Sequence, residues 1–179
     1  MTPFEPILVS ETAYNNSDSY TIIQSNITVI NLLREEGIDE NLLHPDALSS
    51  YCVDYYFQKL KEGGVSLFVW NSKWDNDLNE LIQEGLEQMG ADEHLAYFEK
   101  QIRRINGFSK VKLKKFLDQK YGSLPEISKS IDDTSIDAIE EDLVEIHSDW
   151  LRSHPDLKVA PLDDMFAILE TYLGKKIDR

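Results

Sequence analysis

The chain has one cysteine, Cys52, so it cannot form an internal disulfide. It has no apolar run near the ~20 residues of a membrane span. Its first residues, Met1-Thr2-Pro3-Phe4-Glu5, lack the basic start and apolar stretch of a signal peptide. These absences predict a cytoplasmic protein with no membrane partner.

Positive charge is also scarce, because 18 lysines and arginines stand against 33 acids and leave a net charge of −15. Such a charge repels a phosphate backbone, so direct binding of nucleic acid is disfavoured and a basic partner is favoured. The simpler alternative is that the charge only keeps the protein in solution. Residues 100–120 are the exception, with eight bases and one acid. This basic island is interpreted as an ion-pair partner for the acidic helices, within the protein or across a homodimer.

Motifs for catalysis or metal binding are missing. The chain contains no phosphate loop and no dinucleotide fingerprint. Its four histidines do not form a Glu-x-x-His or His-x-x-x-His pair of the kind that helical metal sites use. Cys52 lies in an aromatic, apolar segment and reads as a core residue. We therefore expect no metal, no cofactor and no covalent catalysis.

Apolar residues recur with a helical period almost everywhere, which predicts an all-α fold. A length of 179 residues suits one domain, a bundle of about seven or eight helices after an irregular segment at residues 1–16. Two helices are well marked, one over residues 75–89 and a long one from Thr134 or Ser135 to Ser153. The residues expected to be buried in them are Leu78, Leu81, Leu86, Ile139, Leu143, Ile146 and Trp150.

Acidic residues are ordered on both of these predicted helices. The first row has spacings of three, four and three, and the second has steps of four. Residues three or four apart lie on one helix face, so each row offers a string of carboxylates about 15 Å or more in length. The alternative is a solvated face without a partner. The two rows are Asp77, Glu80, Glu84 and Glu87, and Asp137, Glu141, Glu145 and Asp149.

The stretch from Tyr51 to Ala91 carries a resemblance to a known family. An aromatic helix is followed by a Gly-Gly pair, a short aromatic element, an asparagine and a later Gly-Ala. This order resembles a family of small acidic helical bacterial proteins that is named after a DNA mimic. Val65 and Leu67 depart from the family pattern, where Phe and Gln are expected. The matching residues are Gly63, Gly64, Phe68, Asn71, Gly90 and Ala91, and the resemblance spans roughly residues 45–157.

The resemblance implies a helical fold and a protein that binds other proteins. The leading hypothesis is an acidic binding module whose partner is a basic protein, conceivably a DNA-binding one whose site it occupies by imitating phosphates. An immunity or antitoxin-like inhibitor of a toxic enzyme is the first alternative. A small enzyme is the second, with a pocket around Tyr55, Trp70, Asn71 and His94.

Overall fold

The computed structural model describes residues 2–177 and is about 70% helical. It confirms the all-α prediction, because the described residues hold nine α-helices and only two strands, each of four residues. The elements are β1 (Ile7–Ser10), α1 (Glu11–Tyr14), α2 (Tyr20–Glu35), α3 (Pro45–Ser72), α4 (Asn76–Met89), α5 (Asp92–Asn106), α6 (Lys110–Asp118), α7 (Pro125–Ile131), α8 (Leu143–Ser153), β2 (Leu157–Ala160) and α9 (Leu162–Leu173), with 3-10 helices at Glu40–Leu42 and Thr134–Ala138.

Contacts divide the chain into two compact units. The terminal unit comprises the residues up to Tyr51 and those from Asp142 onward, and the central unit comprises Cys52–Glu141. The expectation of a single domain stays a prediction.

The terminal unit is built on a parallel pair of strands, in which Ile7 lies opposite Leu157 and Ser10 opposite Ala160. The apolar residues of β1 are buried, and α2 packs against this strand and against α8. The prediction of an irregular segment at residues 1–16 is therefore wrong. β1 was missed because it is only four residues long and its partner strand lies about 150 residues away in the sequence.

The long late helix is also a wrong prediction. A 3-10 helix covers Thr134–Ala138, Ile139 is extended with ψ 127°, and α8 begins only at Leu143. Asp142 causes the late start, because its carboxylate accepts hydrogen bonds from the N–H groups of Val144 and Glu145 and so caps α8.

Burial follows the helical periods only in part. Leu86 and Leu143 are buried, as predicted. The other five residues expected in the core are partly buried, namely Leu78, Leu81, Ile139, Ile146 and Trp150.

The central unit is organised by a break in α3. Gly63 and Gly64 leave the helical conformation, and the helix resumes at Val65 in a new direction. The resumed part carries Phe68, whose ring meets Tyr56 at 5.2 Å and Phe98 at 6.0 Å between centroids. Edge-to-face aromatic pairs of this kind add to the stabilisation from burial. The short aromatic element that follows the Gly-Gly pair in the family pattern is thus helical.

Among residues 2–177, no helix combines the length and the apolar character required to cross a bilayer.

Candidate functional site

The first acidic row lies on a single regular helix, α4. Asp75 caps its start by accepting a hydrogen bond of 2.9 Å from Leu78 N–H, and Gly90 ends it in the left-handed conformation, with φ 72°. The buried face of α4 contains Ile82, Leu86 and Met89 and packs against α5. The opposite face carries Asp77, Glu80, Glu84 and Glu87, all exposed.

These four acids have no ion pair or side-chain hydrogen bond within the described part of the chain. α4 contains no lysine or arginine that could neutralise them. Like charges three or four residues apart destabilise a helix by about 0.2–0.5 kcal/mol per pair. The row is therefore a continuous acidic face, whose like charges repel one another, and only Asp77, in the first turn, has a favourable interaction with the helix dipole.

The second acidic row is not continuous. Asp137 lies in the 3-10 helix and Glu141 lies between helices, whereas Glu145 and Asp149 belong to α8. The first two residues are part of the central unit and the last two are part of the terminal unit. Glu145 is also engaged, because it accepts a hydrogen bond from Ser19 Oγ at 2.8 Å. Asp137 and Asp149 are exposed.

Glu141 has a structural role that the sequence pattern did not reveal. Its Oε2 accepts hydrogen bonds from Glu93 N–H at 2.8 Å and His94 N–H at 3.2 Å, at the start of α5. Glu93 in turn accepts hydrogen bonds from the N–H groups of Glu140 and Glu141. Glu141 thus accepts hydrogen bonds from the main chain at Glu93, and Glu93 accepts them from the main chain at Glu141. This reciprocal pair secures the segment before α8 to the first turn of α5.

The Gly-Gly pair forms a second such capping site. Gly64 has φ 75° and ψ −171°, a conformation that is open to glycine almost alone. The break frees the first N–H groups of the resumed helix, and Asp132 Oδ1 accepts a hydrogen bond of 2.8 Å from Ser66 N–H. A Cβ on Gly64 would lie 2.8 Å from that oxygen. The glycine is needed both for its backbone angles and for the approach of Asp132.

The remaining residues of the family pattern also lie at structural positions. Phe68 is buried in the aromatic core, and Asn71 donates a hydrogen bond to Leu67 O within its own helix. Ala91 is buried, and its N–H donates to Leu86 O at the junction of α4 and α5.

The basic island compensates acids only in part. Asp133 pairs with Lys100 at 2.8 Å and with Arg104 at 3.4 Å. Burial would raise the pKa of Asp133, but hydrogen bonds from Lys100, Gln101 and Ser135 outweigh it and hold this pKa well below its usual range. In α6, Lys114 pairs with Asp118 of the same helix. Lys112 and Lys115 are exposed, and neither forms an ion pair with a described residue.

The side chains of the suggested enzyme pocket have structural partners. Trp70 Nε1 donates to Gln119 O at 2.7 Å, and His94 Nε2 lies 3.2 Å from Glu141 O. The rings of Tyr55 and Phe68 pack edge-to-face, with 6.2 Å between their centroids. His94 is buried and its Nδ1 has no partner among the described residues. These side chains hold helices and loops together, and no nucleophile or acid-base pair is formed among them.

A repeated tripeptide in the terminal unit was overlooked in the sequence. His-Pro-Asp occurs at residues 44–46 and again at residues 154–156, and the two copies bind each other. His44 Nε2 lies 3.4 Å from Asp156 Oδ2, and His154 Nε2 lies 3.0 Å from Asp46 Oδ2. In each copy the histidine Nδ1 accepts the N–H of its own aspartate. The repetition was the signal that could have revealed this His-Pro-Asp clasp.

The clasp is poorly suited to hold a metal. Each Nδ1 accepts an N–H, so the single proton of a neutral ring is on Nε2, the atom that faces the carboxylate. A metal on Nε2 would force this proton onto Nδ1, against the main-chain N–H. Over residues 2–177, no three or more His, Cys, Asp or Glu side chains are grouped so that they could bind a metal ion.

One further histidine is fully enclosed. His147 Nε2 lies 2.7 Å from Ser50 Oγ, which also accepts a hydrogen bond from Asn26 Nδ2 at 3.0 Å. Burial lowers the pKa of His147 to about 3. Ser50 and His147 resemble a catalytic pair, but Ser50 is 0% and His147 2% exposed, so no substrate can reach them. This network joins α2, α3 and α8.

The fold and these sites define a helical protein with an exposed acidic helix face and structural polar clusters. The chain belongs to the DMP19-like protein family, whose model matches residues 41–154. No curated protein and no solved structure matches the chain.

Proposed function

We propose that this protein binds a basic protein through the acidic face of α4, and that the partner is a DNA-binding protein whose nucleic-acid site this face occupies. DMP19 is an abbreviation of DNA mimic protein 19, so membership of the family supports this role. The proposal includes a non-catalytic mode of action.

The observation that carries the proposal is that four acids on one face of α4 are exposed and unpaired among the described residues. Asp77, Glu80, Glu84 and Glu87 are exposed and unpaired in the described structure, and they follow one side of an unbroken helix. Steps of three and four residues separate neighbouring carboxylates by about 4.5–6 Å along the axis. Phosphates of one nucleic-acid strand follow one another about every 3.4 Å along the duplex axis, so the carboxylates repeat at a spacing of the same order.

The second row is left out of the proposal. Glu141 and Glu145 already bind groups of the protein itself, so their charges serve the fold. Asp137 and Asp149 are exposed but do not lie on a common helix with the rest.

The test uses a triple variant, Glu80→Gln, Glu84→Gln and Glu87→Gln. The partner is first captured from native lysate with the wild-type protein at low salt and identified. The Kd of the partner for the wild-type protein and for the triple variant is then measured across a salt series. We expect the triple variant to bind at least tenfold more weakly at low salt, with a shallower salt dependence, because fewer charges are screened. Duplex DNA should compete with the wild-type protein.

A matched control removes three charges elsewhere, with Glu11→Gln, Glu35→Gln and Asp164→Asn. These acids are exposed and have no partner among the described residues. If both triple variants lose the same affinity, net charge alone drives binding and the α4 face is not the site. If neither loses affinity, the proposal is wrong.

A further inference from the structure

The terminal unit contains a cavity of about 260 Å³ beside the turn that enters α3. The N-terminal segment forms one wall and is held firmly, because Phe4 N–H donates to Leu42 O at 2.7 Å and the Phe4 ring packs on Tyr172. The apolar lining is Pro3, Phe4, Leu43 and Pro45.

The polar lining of this cavity is negative. It consists of Glu5, His44 and Asp156, with no lysine or arginine. Both carboxylates are exposed, and Glu5 has no ion pair among the described residues. His44 Nδ1 accepts the Asp46 N–H at 3.1 Å, and its Nε2 lies 3.4 Å from Asp156 Oδ2. His44 thus positions the Asp156 carboxylate at the edge of the cavity.

We infer that this cavity receives one arginine side chain of a binding partner. The inference rests on the proposed function for the source of that arginine, a basic protein. Prolines, Phe4 and Leu43 offer an apolar wall to the methylene stem, while Glu5 and Asp156 offer acceptors to the planar guanidinium, which binds carboxylates in a fixed fork. The volume of about 260 Å³ corresponds to roughly nine waters at ~30 Å³ each, room for one long side chain.

The cavity can be tested without the partner. Nα-acetyl-arginine amide is titrated into the full-length protein at low ionic strength, and the NMR signals of the His44 ring are followed. Nα-acetyl-citrulline amide, which has a similar shape but no charge, is the control ligand. We expect a saturable shift with the arginine compound and none with the citrulline compound.

Two variants locate the binding. Asp156→Asn and Glu5→Gln should each raise the Kd of the arginine compound about fivefold, the effect of removing one exposed ion pair. Glu5 is exposed, and its side chain takes part in no described hydrogen bond or ion pair, so its variant stays informative if Asp156→Asn disturbs His44. The α4 triple variant should leave this Kd unchanged.

Three results would each overturn the inference. These are no saturable shift, equal shifts with both compounds, or an unchanged Kd in both cavity variants. The α4 face is tested separately by capture of the partner, so loss of the proposed function and loss of the cavity site give different patterns.

Discussion

At the scale of single residues, two glycines with positive φ differ in how well their positions would tolerate a side chain. Gly90 and Gly64 both have positive φ, 72° and 75°. Gly90 has no atom near the place of a Cβ, whereas a Cβ on Gly64 would press on Asp132. Their ψ values also differ, since 28° for Gly90 is ordinary left-handed helix and −171° for Gly64 is not. The two positions therefore share a positive φ but differ both in ψ and in the space open to a Cβ.

We predict that Gly64→Ala destabilises the protein by about 3 kcal/mol or more, and Gly90→Ala by about 1 kcal/mol. Urea unfolding of the two variants measures both losses, and Gly90→Ala is the matched control. Equal losses in the two variants would contradict an added cost at Gly64 from its ψ value and from the close approach of Asp132.

At the scale of elements, the capping of α5 depends on an acid far away in the sequence. Glu141 is partly buried and accepts two main-chain N–H groups. We predict that Glu141→Ala lowers the free energy of unfolding by about 1–2 kcal/mol, since the first turn of α5 loses a charged acceptor. Glu141→Gln should lose less, because one acceptor oxygen remains.

Glu84→Ala is the control for this prediction. Glu84 is exposed on α4 and has no described partner, so its removal should change stability by no more than about 0.5 kcal/mol. Chemical unfolding of the three variants provides the comparison. If Glu141→Ala lowers the free energy of unfolding no more than Glu84→Ala does, Glu141 does not stabilise the start of α5.

The same scale shows what the sequence could predict. Local signals were sufficient for α4, where an apolar stripe ends at Gly90 in the left-handed conformation. They failed at residues 139–142, where the three-and-four apolar spacing continues across a real break. They also failed for β1 and Glu141, whose partners lie about 150 and 48 residues away. Periodicity describes one element, and these features depend on contacts between elements.

The candidate site shows the same difference between features of one helix, which the sequence predicts, and features that depend on contacts between elements, which it does not. The exposed acids of α4 can be identified from their spacing alone, since no described residue pairs with them. The second row was misread, because a carboxylate that caps a remote main chain looks the same in sequence as a free one. His44 and Asp156, which line the cavity, were not selected, although their tripeptide is repeated in the sequence.

At the scale of the whole molecule, stability should fall in mild acid because of His147. Burial keeps this ring neutral in the folded protein, with a pKa of about 3, whereas an unfolded chain has the usual value near 6.5. Below pH 6.5 the unfolded state therefore takes up a proton that the folded state does not, and stability decreases as the pH falls toward 3. At pH 5 the loss of unfolding free energy from this proton amounts to about 2 kcal/mol.

We predict that His147→Gln, which can still bond with Ser50, shows a flatter decrease of unfolding free energy between pH 7 and pH 5 than wild type. His94→Gln changes another buried histidine and serves as the comparison. Parallel pH profiles for wild type and His147→Gln, measured by urea unfolding, would show that His147 can accept its proton without opening the Asn26–Ser50–His147 network.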